Sequence, residues 1–198
     1  MQPIPKNICG VTKAAAEDLC ELFHRDHGLA CVILRTSRFF PEEDDHKSTR
    51  QAYSDDNVKS NEYLFRRVDI EDVVDAHLRA LERAPQVGFG RYIISATTPF
   101  FPDDVGDLRV NAPLALRRRV PAYEAEYGRR GWRMFPEIDR VYVNERAQKE
   151  LGWRPRHDFH YVLSCLRQGV DFRSSLARAV GSKGYHAQSF FDGPYPVQ

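Results

Sequence analysis

The sequence predicts an α/β fold built on a parallel sheet, on two observations. A helical pattern over residues 10–27 runs, after one short turn, into ACVILRT at 30–36, a continuous apolar run of the kind expected of a strand buried on both faces. A second amphipathic stretch, IEDVVDAHLRALER at 70–83, precedes another short strand pattern, RYIIS at 91–95. A helix leading closely into a buried strand is the unit of a parallel sheet. Strands 30–36 and 91–95 are therefore expected to run parallel, with helix 10–27 against them.

Each element has its own signals. In helix 10–27, Val11, Ala15, Leu19, Leu22 and Phe23 make an apolar stripe, and Gly28 suits the left-handed stop. Just ahead of it, Cys9 lies four residues before Lys13, so the two share a helix face. From Ser37 to Asn61 periodicity fails: Phe39, Phe40 and Pro41 lead into EEDDHK, which predicts a long loop. In helix 70–83, Val73, Val74, His77, Leu78 and Leu81 fall on one side. Residues 99–131 read as short helices broken at Pro102, Pro113 and Pro121. RVYVN at 140–144 predicts a short strand. Asn144 is placed to cap the helix ERAQKEL, ended by Gly152. Asp158 caps a last helix through Gln168, ended by Gly169, and after Arg173 the pattern decays into a tail.

The bulk numbers exclude several function classes. With 29 basic and 28 acidic side chains in 198 residues, there is no global pull toward nucleic acid or anionic membrane. No aromatic interleaving supports single-strand binding. The longest strongly apolar run, Ala30 to Leu34, is far below the roughly 20 residues that span a bilayer. MQPIPKN is no signal peptide. Cys9, Cys20, Cys31 and Cys165 form no CxxC pair, which argues against zinc and a disulfide framework. Cys20 and Cys31 sit in apolar runs and read as core thiols. A cytoplasmic chain of one domain, or one and a half, is expected.

Four motifs together resemble the extended short-chain dehydrogenase/reductase family, in its NAD-dependent epimerase/dehydratase branch. GVTKAAAEDL resembles the active-site helix, normally entered by Tyr-x-x-x-Lys. CVILRTSRFFPE resembles the buried strand and the substrate loop after it. RRVDIEDVVDAHLRALE and ERAQKELGWRP resemble the family's later helices. The resemblance spans roughly residues 3–170. It implies a partial Rossmann-like parallel sheet lacking its N-terminal nucleotide-binding half, plus a small mixed substrate-side subdomain. Residues 1–96 would be the sheet remnant with an excursion at about 37–68, residues 97–175 the substrate side, and 176–198 an irregular tail. No GxGxxG or GxxGxxG occurs. The chain is thus expected to be a half-enzyme: a fragment, a wrong start or a decayed gene product.

In the family the tyrosine gives or takes the proton, and the lysine tunes it and binds the nicotinamide ribose. Lys13 matches that lysine, and Cys9 stands at the tyrosine's position. A thiol is shorter than a phenol, and misplacement is costly in rate, so the site is expected to be inactive. Ser37, Arg38, Phe39, Phe40, Arg66 and Arg67 would line the substrate side. Arg38 falls where many sugar-nucleotide epimerases carry Asn. NAD or NADP serves full-length relatives and is not expected to bind this chain tightly. No metal site is expected: His24 and His27 suit a helix C-terminus, and His157 and His160 flank a helix start. Asp69, Glu71 and Asp72 read as structural at a helix start, and Arg117, Arg118 and Arg119 as a solvated face. The resemblance thus implies the C-terminal part of an NAD(P)-dependent epimerase/dehydratase or oxidoreductase acting on a sugar-like hydroxyl compound. The alternative is a non-catalytic binding protein, homodimeric through helix 10–27.

Overall fold

A computed structural model describes residue 5 and residues 7–181; most of the tail expected over 176–198 lies outside the described residues. Helix α1, Ile8–His27, begins two residues before its expected start because Asn7 caps it, accepting a hydrogen bond from the Gly10 N–H at 2.8 Å. Gly28, at φ 65°, ends it. Strand β1, Cys31–Thr36, follows. Helices α2, Lys47–Ala52, and α3, Asp55–Glu62, come next, then α4, Ile70–Val87, and β2, Phe89–Ile94. The strands pair in parallel from Cys31 against Phe89 to Thr36 against Ile94, as expected. A one-residue bridge between Arg38 and Arg67 extends the contact. A 3-10 turn and helices α5, Val105–Leu108, α6, Ala112–Arg119, and α7, Tyr123–Arg130, fill the proline-broken region. Helices α8, Glu145–Leu151, α9, Phe159–Gln168, and α10, Ser175–Val180, complete the described chain.

Several expectations are corrected. The segment expected as one long loop contains α2 and α3, and six residues of α3, Asn57 to Glu62, are buried. Its burial rests on polar groups with distant partners: Asn57 and Asn61 both donate to the Arg133 carbonyl. RVYVN is not a strand. Its Tyr142 N–H donates to the Phe65 carbonyl and joins no ladder. Asn144 stands at the start of α8, but its side chain donates to the Ser95 carbonyl at 2.8 Å instead of capping the helix. Asp158 does cap α9, accepting from the Tyr161 N–H.

The buried faces differ from the apolar count. On α4 the buried residues are Asp72, Val73, Ala76 and Ala80. Small side chains there let the helix approach Tyr92 and Ile94 of β2, whereas Val74, His77, Leu78 and Leu81 are exposed. Strand β1 is half-buried rather than buried on both faces. The α1 stripe of Val11, Leu19, Leu22 and Phe23 faces out. What α1 presents to the sheet is Glu17, bound to Arg35 and Arg91, and His24, stacked on Phe89.

Two cores result, interleaved in sequence. One joins β1, β2 and α4 to Ala147, Leu151 and Trp153 from around α8. The other joins Tyr63, Leu64 and Phe65 to α6, α7 and α9. A division near residue 96 is therefore crossed in both directions by packing. This interlock fixes the loops at the carboxyl ends of β1 and β2, where the candidate site lies.

Candidate functional site

The helix cap at Asn7 sets the position of Lys13, one and a half turns along α1. Lys13 is exposed and has no hydrogen-bond or ion-pair partner among the described residues. It lines an open cleft of about 330 Å³ with Gly10, Ala14, Glu17, Thr36 and Tyr142. Thr36 ends β1, so the cleft opens at the carboxyl end of the strand, where α/β sheets bind ligands. One wall is a charge cluster. Glu17 accepts from Arg35 at 2.8 and 2.6 Å and from Arg91 at 3.1 Å. The Arg35 hydrogen bonds hold the Glu17 carboxyl below its ordinary value. Arg91 also pairs with Asp18 and Glu21, and none of these groups binds the Lys13 ammonium.

Cys9 is exposed in the first turn of α1 and is not among the residues lining this cleft. Tyr142 is, and sequence reasoning missed it because RVYVN was read as a strand. Arg140, two residues before Tyr142, has its pKa raised by Asp139 first and by this phenol as well. The cleft therefore brings together an amine and a phenol from segments far apart in sequence.

The six expected substrate residues lie elsewhere. Ser37 is buried, with its hydroxyl on the Ile94 carbonyl at 3.1 Å. Arg38 donates at 3.0 Å to both Asp44 and Glu62. Arg66 and Arg67 also bind Glu62, Arg67 at 2.8 Å, and Arg67 holds the Phe40 carbonyl. Glu62 is thus a buried carboxylate shared by three guanidinium groups, the paired arrangement that makes a buried charge tolerable. Phe39 and Phe40, with ring centroids 4.3 Å apart, join Arg67, Lys59, Tyr63 and Phe172 around a void of about 30 Å³. That void holds about one water. The group packs the turn after β1 and does not line the Lys13 cleft.

Asp69, Glu71 and His157 bring one ligand atom each within 4.8 Å of one another. They stand at the N-terminus of α4, whose dipole disfavours a cation, and their atoms are engaged. Asp69 accepts from the N–H groups of Glu71 and Ser174, and His157 Nδ1 is 2.9 Å from Asp72. The arrangement is an ion-paired clamp between α4 and the segment before α9. Arg117, Arg118 and Arg119 pair with Glu124, Asp107 and Asp104.

A helix packed beside a parallel strand pair, with further helices around it, defines an α/β protein in outline. Residues 2–94 match the sequence model of the NAD dependent epimerase/dehydratase family, and over these residues the resemblance carried by the motifs holds. Solved structures similar to this chain include UDP-N-acetylglucosamine 4-epimerase from Bacillus cereus, at 14% identity and a TM-score of 0.47 over 84% of this chain. Another is RMD from Pseudomonas aeruginosa complexed with NADPH, at 17% identity and a TM-score of 0.42 over 85% of this chain. The chain spans 54% and 59% of the length of those two structures. No curated protein matches it. Among the described residues, no helix is long and apolar enough to cross a membrane.

Proposed function

We propose that this chain forms the lysine-bearing and substrate-side part of an NAD(P)-dependent epimerase/dehydratase acting on a sugar-like hydroxyl compound. The observation that carries the reading is Lys13, an unpaired ammonium in a cleft at the carboxyl end of β1, within the segment that matches the family. Its role is to hold a ribose hydroxyl and to favour the ionised form of a nearby acid. Tyr142 is the phenol that lines the same cleft, whereas Cys9 does not, so Tyr142 is the better proton carrier of the two. Ser37, Arg38, Phe39, Phe40, Arg66 and Arg67 frame the turn that borders the substrate side rather than contacting the Lys13 cleft.

The residues described fit one end of a dinucleotide only. A pyrophosphate needs a glycine-rich turn at a helix N-terminus, and the sequence contains none. A bound nicotinamide would supply hydride exchange, and Lys13 would hold its ribose. Isothermal titration of the chain alone is expected to show no saturable NAD(H) or NADP(H) binding below millimolar concentration. Fused behind the dinucleotide-binding half of a family enzyme, the chain is expected to bind NADH, and Lys13→Met to weaken that binding at least tenfold, about 1.4 kcal/mol. Fused protein that binds NADH equally well with Lys13→Met would refute the role given to Lys13.

A second reading, a non-catalytic dimerisation protein, is favoured by one observation. Ile8, Val11, Leu19, Leu22 and Phe23 form an exposed apolar face on α1, with Leu19 at 53% and Phe23 at 46%. Such a face suits a second copy of the chain. Sedimentation should give a dimer that Leu19→Glu converts to monomer; a monomeric parent would remove this reading.

A further inference from the structure

Glu17, Cys20 and His24 are spaced by three and four residues along α1 and so share one face. The outer two are anchored on the sheet. Glu17 binds Arg35 and Arg91, and the His24 ring stacks on Phe89 with centroids 5.8 Å apart. Phe89 is the register partner of Cys31, and alternate residues Cys31, Ile33 and Arg35 face the same side of β1. Cys20, between the two anchors, is therefore set down on Cys31. Cys20 is the one titratable neighbour that bears on the Cys31 thiol, and both are half-buried, so a small oxidant can reach them. Cys9 lies in the first turn of α1, and Cys165 lies in α9 against Tyr161.

We infer that Cys20 and Cys31 are an oxidisable dithiol whose disulfide ties α1, the helix that carries Lys13, to β1. The oxidant is a low-molecular-weight disulfide. The Cys20 thiolate attacks one of its sulfurs, forming a mixed disulfide and releasing one small thiolate. Cys31 then gives up its proton and attacks Cys20 Sγ, expelling the second small thiol. Two protein S–H bonds are lost, one S–S bond forms, and the small disulfide is reduced to two thiols. Burial first, and then the neighbouring Cys20, push the Cys31 thiol up, which suits it to the slower, resolving step. A disulfide needs Cα atoms within about 7 Å, and a helix already anchored on this side of the sheet through Glu17 and His24 can close it without leaving the strand.

The test treats the full chain with oxidised glutathione, blocks remaining thiols with iodoacetamide and reads intact mass and peptide maps. The expected result is loss of two of the four alkylation sites, a linked peptide containing Cys20 and Cys31, and recovery of all four sites after dithiothreitol. In Cys20→Ser, the other three thiols should all remain alkylatable apart from a glutathione adduct. Hydrogen exchange of the α1 amides should slow in the oxidised chain and not in oxidised Cys20→Ser. Four alkylation sites after oxidation, a link through Cys9 or Cys165, or a glutathione adduct on Cys20 that never closes would each overturn the pairing. Unchanged exchange in the linked chain would overturn the tie.

Discussion

Replacing Asp72 by alanine is expected to cost about 4 kcal/mol of stability. Asp72 lies in the first turn of α4 and is 1% exposed. Its carboxylate accepts from the backbone N–H groups of Arg156 and His157, each at 3.0 Å, and from His157 Nδ1 at 2.9 Å. It thereby holds the chain that follows Trp153, whose indole donates to the Asp72 carbonyl. Alanine leaves two backbone donors and one ring donor without an acceptor, two of them at a site closed to water. Each orphaned buried donor costs about 1–3 kcal/mol, and partial relaxation brings the sum to roughly 3–6 kcal/mol. Urea unfolding followed by tryptophan fluorescence reads the change, because Trp153 is fully buried at this contact. With a slope of about 2 kcal/mol per molar urea, the midpoint should fall by roughly 2 M. Asp72→Asn keeps one acceptor oxygen and should lose about half as much. A midpoint for Asp72→Ala within about 0.3 M of the parent would refute the assignment of this carboxylate as the clamp.

Stability should fall as pH rises through and above neutrality, through His157. Burial opposes its charge, but the hydrogen bond and charge of Asp72, with Asp69 and Glu71, raise its pKa overall from 6.5. A raised pKa means that protonated His157 adds stability that is full below the unfolded value and is lost as pH rises through the folded one. The slope from this one proton is at most about 1.4 kcal/mol per pH unit; urea midpoints against pH should flatten in His157→Gln, and an equal slope in that variant would contradict the clamp. Gly90→Ala should destabilise by about 1–3 kcal/mol, because a Cβ there would lie 2.6 Å from the Tyr92 ring. That ring is 1% exposed and tied to Glu150 through its hydroxyl, so it has nowhere to retreat; an unchanged melting temperature would show that it can.

The parallel pairing was legible because each strand announces itself locally, by an apolar run behind a capped helix. The buried face of α4 was not. Counting apolar residues selects Val74, Leu78 and Leu81, but the partner that decides the face is Trp153, from the far end of the chain. Trp153 and Tyr92 need small neighbours, so Ala76 and Ala80 turn inward. Helix α3 was hidden for a related reason. DDNVKSNE carries no apolar stripe, and its burial depends on the Arg133 carbonyl and on the guanidinium groups of Arg38, Arg66 and Arg67.

The candidate site divides in the same way. Lys13 could be read from motif spacing, since a helix turn is a local object. Cys9 was singled out with it, from its place in the Tyr-x-x-x-Lys pattern, and that too is a local reading. A cleft obeys no such rule: its walls come from whichever segments the cores bring to the end of a strand. The core that gathers Tyr63, Leu64 and Phe65 with α9 also positions the Phe65 carbonyl, and that carbonyl binds the Tyr142 N–H. This one hydrogen bond holds the 140–144 segment against the end of β1 in place of a sheet ladder. An extended RVYVN strand paired in a sheet would have used the same backbone group for its ladder. The loss of the expected strand and the arrival of a phenol in the wall of the Lys13 cleft are therefore one structural event.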